Sequence, residues 1–269
     1  MTTTKTEIQN LSFKHASLFS RLRQEWVGLL ILLLLAGFPF LFAWLSGTSV
    51  IEGPSRFWQG LMITFFIMAV YAMSYDLLIG YTGILSFGHA AFFGGGAYTM
   101  ALWLTHAVPQ ISGRYRISLP GGADITEAVL FAAGILLVVL VVTLLGLLFS
   151  AASARVRGVY FAMISLAMAE SLHILSKATD FVRWTGADEG LHGIPVPAWI
   201  NPTQNRLLFY FVALGFALAM YLLMRRIVDS PTGRVFVAIR ENESRVRMIG
   251  YNPVVFRSIA FITSAVIAG

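Results

Sequence analysis

Cysteine is absent from this chain and charge is scarce. Without cysteine there is no disulfide and no thiolate metal site. Only 12% of residues are charged, against about 25% in a soluble domain. With 57% of residues hydrophobic and gathered into long stretches, that deficit excludes an ordinary soluble domain and places the chain in the membrane class. The pattern GxxxxGK[ST] occurs nowhere, so the usual phosphate-binding loop of an ATPase is missing. Neither GxSxG nor HExxH is present. His15, His89, His106, His173 and His192 show no zinc spacing. The loop at 184–190, WTGADEG, lacks the spaced carboxylates of a calcium loop, and turn chemistry explains its Gly and Asp. No catalytic, metal or cofactor residue is therefore assigned, and nothing here supports a hydrolase.

What the chain does have is apolar length. Seven apolar runs, of roughly 16–23 residues each, are long enough to cross a bilayer core. They cover approximately 26–46, 58–79, 88–108, 128–150, 158–176, 207–228 and 254–269. The expected fold is all-α, a polytopic transmembrane helical bundle of about seven spans. Residues 1–25 read as a cytoplasmic N-terminal segment, too long and polar for the start of a signal peptide, and 26–269 as one transmembrane domain. The last run is short and ends with the chain, so further helices are expected beyond it.

Basic residues set the orientation. With the N-terminus inside, the inner segments carry Lys5, Lys14, Arg21, Arg23, Arg155, Arg157, Arg225, Arg226, Arg234, Arg240, Arg245 and Arg247, twelve in all. The outer loops carry six: Arg56, Arg114, Arg116, Lys177, Arg183 and Arg206. Arg257 sits at the inner edge of the last run. The net charge of +6 thus reflects membrane orientation, and no nucleic-acid partner is expected.

Three places stand out. Residues 80–89, GYTGILSFGH, join the second and third runs with no Lys, Arg, Asp or Glu. Such backbone at membrane depth needs protein or a water-filled cavity to supply partners, and broken helices of this kind often form transport sites. Tyr81, Thr82, Gly83, Ser86 and His89 are therefore pathway candidates. A tight cytoplasmic hairpin with Ser86 as an N-cap is the equal alternative. Gly94, Gly95 and Gly96 follow inside an apolar run. They weaken a helix by about 1 kcal/mol each but permit close backbone approach, so a helix buried in the bundle is expected. They too are carried as pathway candidates, although packing is the plainer reading.

Intramembrane ionisable residues form the second place. Asp76 ends the second run, where a basic partner or freed backbone N–H groups near Gly80 would hold it. Glu170 and His173 share a face of the fifth run. They read either as a polar patch facing a cavity or another subunit, or as a hydrogen-bonded pair near the outer interface, the second being the plainer.

The third place is 230–253, SPTGRVFVAIRENESRVRMIGYNP. Pro231 suits a first helical turn, Val235, Ala238 and Ile239 recur at helical spacing, Gly250 is a helix stop and Asn252-Pro253 a break. One or two short amphipathic helices are expected across the cytoplasmic face. Arg225 and Arg226 already supply a positive-inside anchor, which leaves the remainder free to dock another protein.

Five segments in order resemble permease subunits of branched-chain amino acid ABC importers of the LivM type. They are 75–97 (YDLLIGYTGILSFGHAAFFGGGA), 155–169 (RVRGVYFAMISLAMA), 185–195 (TGADEGLHGIP), 230–251 (SPTGRVFVAIRENESRVRMIGY) and 260–269. The resemblance implies a multi-pass protein of the bacterial inner membrane that imports branched-chain amino acids, or related amino acids, amides or urea. It implies a second permease subunit, two ATP-binding subunits that hold ATP and Mg, and a periplasmic substrate-binding protein. It also implies that the chain is not an enzyme, and that the region around 243–250 is a coupling segment for the ATPase. Arg240, Glu241, Glu243, Arg245 and Gly250 are the residues expected there, although Ser244 and Arg245 stand where small alanines are common. A stand-alone channel or polytopic membrane enzyme is the alternative.

Overall fold

The computed structural model describes residues 26–47, 49–50, 53–114, 125–156, 158–187, 189–197 and 201–269. The expected N-terminal segment 1–25, with Lys5, Lys14, Arg21 and Arg23, lies outside them, as do Arg116, Arg157 and Asp188. Among the described residues there is no strand. The chain is an all-α helical membrane protein.

Among the described residues ten helices run in order: α1 Trp26–Ser46, α2 Pro54–Asp76, α3 Ala90–Leu102, α4 Val108–Ser112, α5 Thr126–Arg155, α6 Val159–Lys177, α7 Val182–Thr185, α8 Arg206–Asp229, α9 Pro231–Met248 and α10 Pro253–Ala268. Five of them are long and apolar enough to cross a membrane: α1, α2 with its extension to Tyr81, α5, α6 and α8. Five of the seven apolar runs therefore become uninterrupted long helices. The other two differ. The run at 88–108 becomes α3, a π turn at Trp103–Ala107 and α4. Pro109 accounts for the break, since it cannot donate to the preceding turn and its ring displaces the carbonyl there. The last run forms the shorter apolar helix α10.

Two clusters hold the bundle together. The larger gathers Leu77, Leu78, Phe92, Phe149, Phe161, Phe236 and Phe261, all almost fully buried, from α2, α3, α5, α6, α9 and α10. Phe92 meets Phe149 edge-on at 5.0 Å and Phe161 meets Phe261 at 5.6 Å, the arrangement that aromatic quadrupoles favour. The smaller cluster joins α1, α2 and α8 through Ile63, Phe66, Tyr210 and Leu214. Tyr210 is fully buried, and its hydroxyl donates to the Leu35 carbonyl at 2.6 Å. Elsewhere α5, α6 and α8 present Leu136, Leu148, Tyr160, Met163 and Leu222 outward, as lipid-facing helices do.

Candidate functional site

Two structural features meet on one side of the bundle: an irregular segment after α2, and the amphipathic helix α9.

Helix α2 does not end cleanly. A π turn, Leu77–Tyr81, extends it, and the Leu78 carbonyl then accepts from two donors. The Thr82 hydroxyl donates at 2.6 Å and the Ile84 amide at 3.0 Å. Gly83, with φ +69°, turns the chain back; a side chain is strained in that region. Residues 83–88 then run without regular structure, with Thr82, Ile84, Ser86 and Gly88 buried and Gly83 and Phe87 exposed. The Phe87 amide donates to Ser165 Oγ at 3.0 Å, while the Ser165 hydroxyl donates to the Ala162 carbonyl at 2.8 Å. The sequence therefore makes a helix that breaks after Tyr81 and continues as irregular, partly buried chain. Ser86 is not an N-cap. No side chain caps α3, and Ser86 Oγ is buried without a hydrogen-bond partner.

His89 closes the segment against α2. The Ser74 hydroxyl donates to the Tyr71 carbonyl at 2.6 Å, so its oxygen is left to accept from His89 Nε2, 2.9 Å away. One hydroxyl proton cannot serve both contacts. His89 Nδ1 is then a buried acceptor with no partner, ringed by Tyr71, Tyr75 and Phe92 at 5.1–5.4 Å between centroids. Ser264 of α10 donates to the Ser74 carbonyl at 2.5 Å. Ser74, Ser165 and Ser264 were not among the expected residues. Their signal was a lone hydroxyl inside an apolar run, where a buried oxygen must find a partner.

The glycine run divides. A Cβ on Gly95 would lie 2.8 Å from Leu145 of α5, and one on Gly96 would strike the backbone of Gly269. Gly94 faces open space, so close packing holds for two of the three. Of the intramembrane acids, Asp76 borders this site and Glu170 stands apart from it. The Asp76 carboxylate lies over Gly80 and is exposed, with no basic partner among the described residues. Glu170 and His173 are both exposed on α6, and no hydrogen bond or ion pair joins them. The expected pair does not form, because both side chains point away from the bundle. Among the described residues no group of His, Asp or Glu converges to hold a metal.

Helix α9 is built from its caps. Ser230 accepts from the Gly233 amide at 3.2 Å, and Pro231 fills the first turn. Phe236, Ile239 and Val246 are its buried face. It is two helices rather than one: Asn242 is extended (φ −159°, ψ 99°), and its Oδ1 accepts from the Arg245 amide at 3.0 Å, so it N-caps the second half. That half ends where the Gly250 amide donates to the Arg247 carbonyl at 2.9 Å and the Tyr251 amide to the Val246 carbonyl at 3.2 Å. With φ +96° at Gly250, this is a Schellman stop. Asn252 then caps α10 through the Val254 amide at 3.1 Å.

Charge fixes α9 to its neighbours. Glu243 accepts from Arg247 at 2.7 Å and from Arg257 of α10. The Glu243 and Arg257 side chains are 14% and 12% exposed, so this pair is largely withdrawn from water. Arg240 Nη1 donates to the Gly80 carbonyl. Of the expected coupling residues, Glu241, Arg245 and Gly250 are exposed, Glu243 is half-buried, and Arg240 reaches back to α2. Met248 and Ile249 are 85% and 74% exposed at the end of the second half; sequence reading missed them as surface features.

A buried, irregular segment between helices of spanning length, joined to an amphipathic helix on one face, fits a polytopic helical membrane protein. The profile of the family described as "Branched-chain amino acid transport system / permease component" matches residues 58–269, and the chain belongs to that family. It is 26% identical over 227 residues to the high-affinity branched-chain amino acid transport system permease protein LivM of Salmonella typhimurium, covering 76% of this chain and 48% of that one. The Escherichia coli LivM matches to the same extent. A probable LivM of Methanocaldococcus jannaschii is 24% identical over 203 residues, 71% of this chain and 58% of its own length. The chain thus spans about half the length of the curated relatives it matches. No solved structure gives a significant match.

Proposed function

We propose that this chain is a membrane-spanning permease subunit of an ATP-driven ABC importer. It carries branched-chain amino acids, or related amino acids, amides or urea, across the bacterial inner membrane, with its N-terminus cytoplasmic. A second permease subunit pairs with it, two ATP-binding subunits hold ATP and Mg, and a periplasmic binding protein delivers the solute. The chain itself catalyses no reaction.

The observation that carries this reading is the second half of α9. It is a short helix held to the bundle through Glu243 and Arg257, yet it presents Met248 and Ile249 to solvent beside Arg245 and Arg247. Exposed apolar side chains within a charged surface segment mark a docking site. A stand-alone channel or enzyme has no use for such a surface. ATP-driven closure of the nucleotide subunits would displace this helix, and the permease pair would open its cavity to each side in turn.

The full-length protein should bring down a second permease and Walker-motif ATPases from detergent-solubilised membranes. Met248→Glu with Ile249→Glu should abolish recovery of the ATPases while leaving the permease pair intact. Recovery of the chain alone, under conditions that preserve other membrane complexes, would favour the channel or enzyme reading.

A further inference from the structure

One side chain joins α9 to the irregular segment. The Gly80 carbonyl belongs to the last turn of a helix, where carbonyls lack intrahelical partners, and Arg240 supplies its donor. A guanidinium at that position also faces the negative end of the helix dipole. The stem of Arg240 lies against Gly83. A Cβ on Gly83 would sit 2.7 Å from Arg240 Cγ and 3.4 Å from Arg240 Cβ, so the absence of a side chain there is what lets Arg240 through. Three residues further along, beyond the kink at Asn242, Glu243 is tied to Arg257 of α10. The first half of α9 is thereby fixed to the end of α2, and the second half to α10. Beside the contact a cavity of about 230 Å³ is lined by Thr82, Ile84, Phe161, Ile239, Arg240 and Arg257, which leaves the Arg240 side chain room to swing.

We propose that Arg240 is a positioning residue for transport: it transmits displacement of α9 to residues 82–89 and does not itself contact the ATPase. This rests on the importer reading above. The exposed apolar pair Met248 and Ile249, with Arg245, lies beyond the kink. Arg240 lies before it beside the exposed Glu241, and although its own side chain is 45% exposed, its guanidinium is committed to the Gly80 carbonyl.

The test uses the assembled complex with Arg240→Ala, Arg240→Gln and Arg240→Lys. Three quantities are read: ATPase subunits recovered with the permease, coupled solute uptake, and the thiol reactivity of Phe87→Cys with and without nucleotide. This chain has no cysteine, and Phe87 is exposed, so label read on this subunit after separation from its partners reports on the irregular segment. Recovery of ATPase subunits should be unchanged in all three variants. Uptake should fall about tenfold in Arg240→Ala and Arg240→Gln, the worth of one charge-assisted hydrogen bond used as a coupling element, and less in Arg240→Lys. The nucleotide-dependent change in Phe87→Cys reactivity should disappear in Arg240→Ala. Gly83→Ala should impair uptake by displacing Arg240, and adding it to Arg240→Ala should cost far less than the sum of the two.

Wild-type uptake and an intact nucleotide response in Arg240→Ala would overturn the proposal. Loss of ATPase subunits from all three variants would also overturn it, by making Arg240 a docking residue. Failure of the unsubstituted protein to bring down any ATPase would remove the importer reading and this inference with it.

Discussion

At Gly88 the irregular segment has no room for a side chain. A Cβ there would strike the Ser165 carbonyl and come within 2.5 Å of the Phe149 ring. Gly88→Ala should destabilise the protein by about 1–3 kcal/mol, as overpacking of a tight core does, and lower its thermal midpoint in detergent. Gly94→Ala is the control. Nothing lies within 4 Å of that Cβ, and alanine outranks glycine in a helix by about 1 kcal/mol, so the midpoint should hold or rise. Equal effects at the two positions would contradict the packing described here. Sequence alone could not separate Gly94, Gly95 and Gly96, because which face of a glycine helix meets a neighbour is decided by the neighbours. His89 stood in the sequence as a pathway candidate; its partner Ser74 lies fifteen residues away across the break, and spacing does not reveal such a contact.

Helix α9 shows both what local chemistry writes into a sequence and what it omits. Its start at Ser230-Pro231, its stop at Gly250 and the break at Asn252-Pro253 are all legible, since caps and turns depend on a few adjacent residues. The kink at Asn242 is not, because asparagine tolerates a helix interior and becomes a cap only when the backbone leaves the helix there. Nor is the choice of partner for Glu243, which had Arg240, Arg245 and Arg247 nearby on its own segment yet also takes Arg257 of α10. Glu243→Ala removes the acid from two arginines, one of them 12% exposed. Breaking a withdrawn ion pair costs about 3 kcal/mol, so the α9–α10 corner should open. Faster amide hydrogen exchange over 243–257, with little change in α5, is the expected result. Exchange indistinguishable from wild type would show that the pair does not fix the corner.

For the whole molecule, composition was enough to give a helical membrane bundle, because each apolar run of spanning length must satisfy its backbone internally. Composition did not say which runs stay unbroken. The irregular segment interrupts the path after α2, and Pro109 leaves a π turn before α4. Both interruptions follow from contacts or backbone chemistry that a hydropathy average smooths away. The exposed acid Glu170 on α6 is a further feature at this scale. An ionisable side chain on the surface of a spanning helix is costly in lipid, and the second permease subunit proposed above would shield it.

Uptake of radiolabelled leucine into proteoliposomes tests the central claim most directly. They would contain the full-length protein with its co-purifying permease and ATPases, and binding protein would be supplied outside with the solute. Accumulation that requires ATP at the nucleotide subunits, requires binding protein, and is lost when this chain carries Met248→Glu with Ile249→Glu is the predicted result. Leucine flux through this chain alone, indifferent to ATP and binding protein, would contradict it.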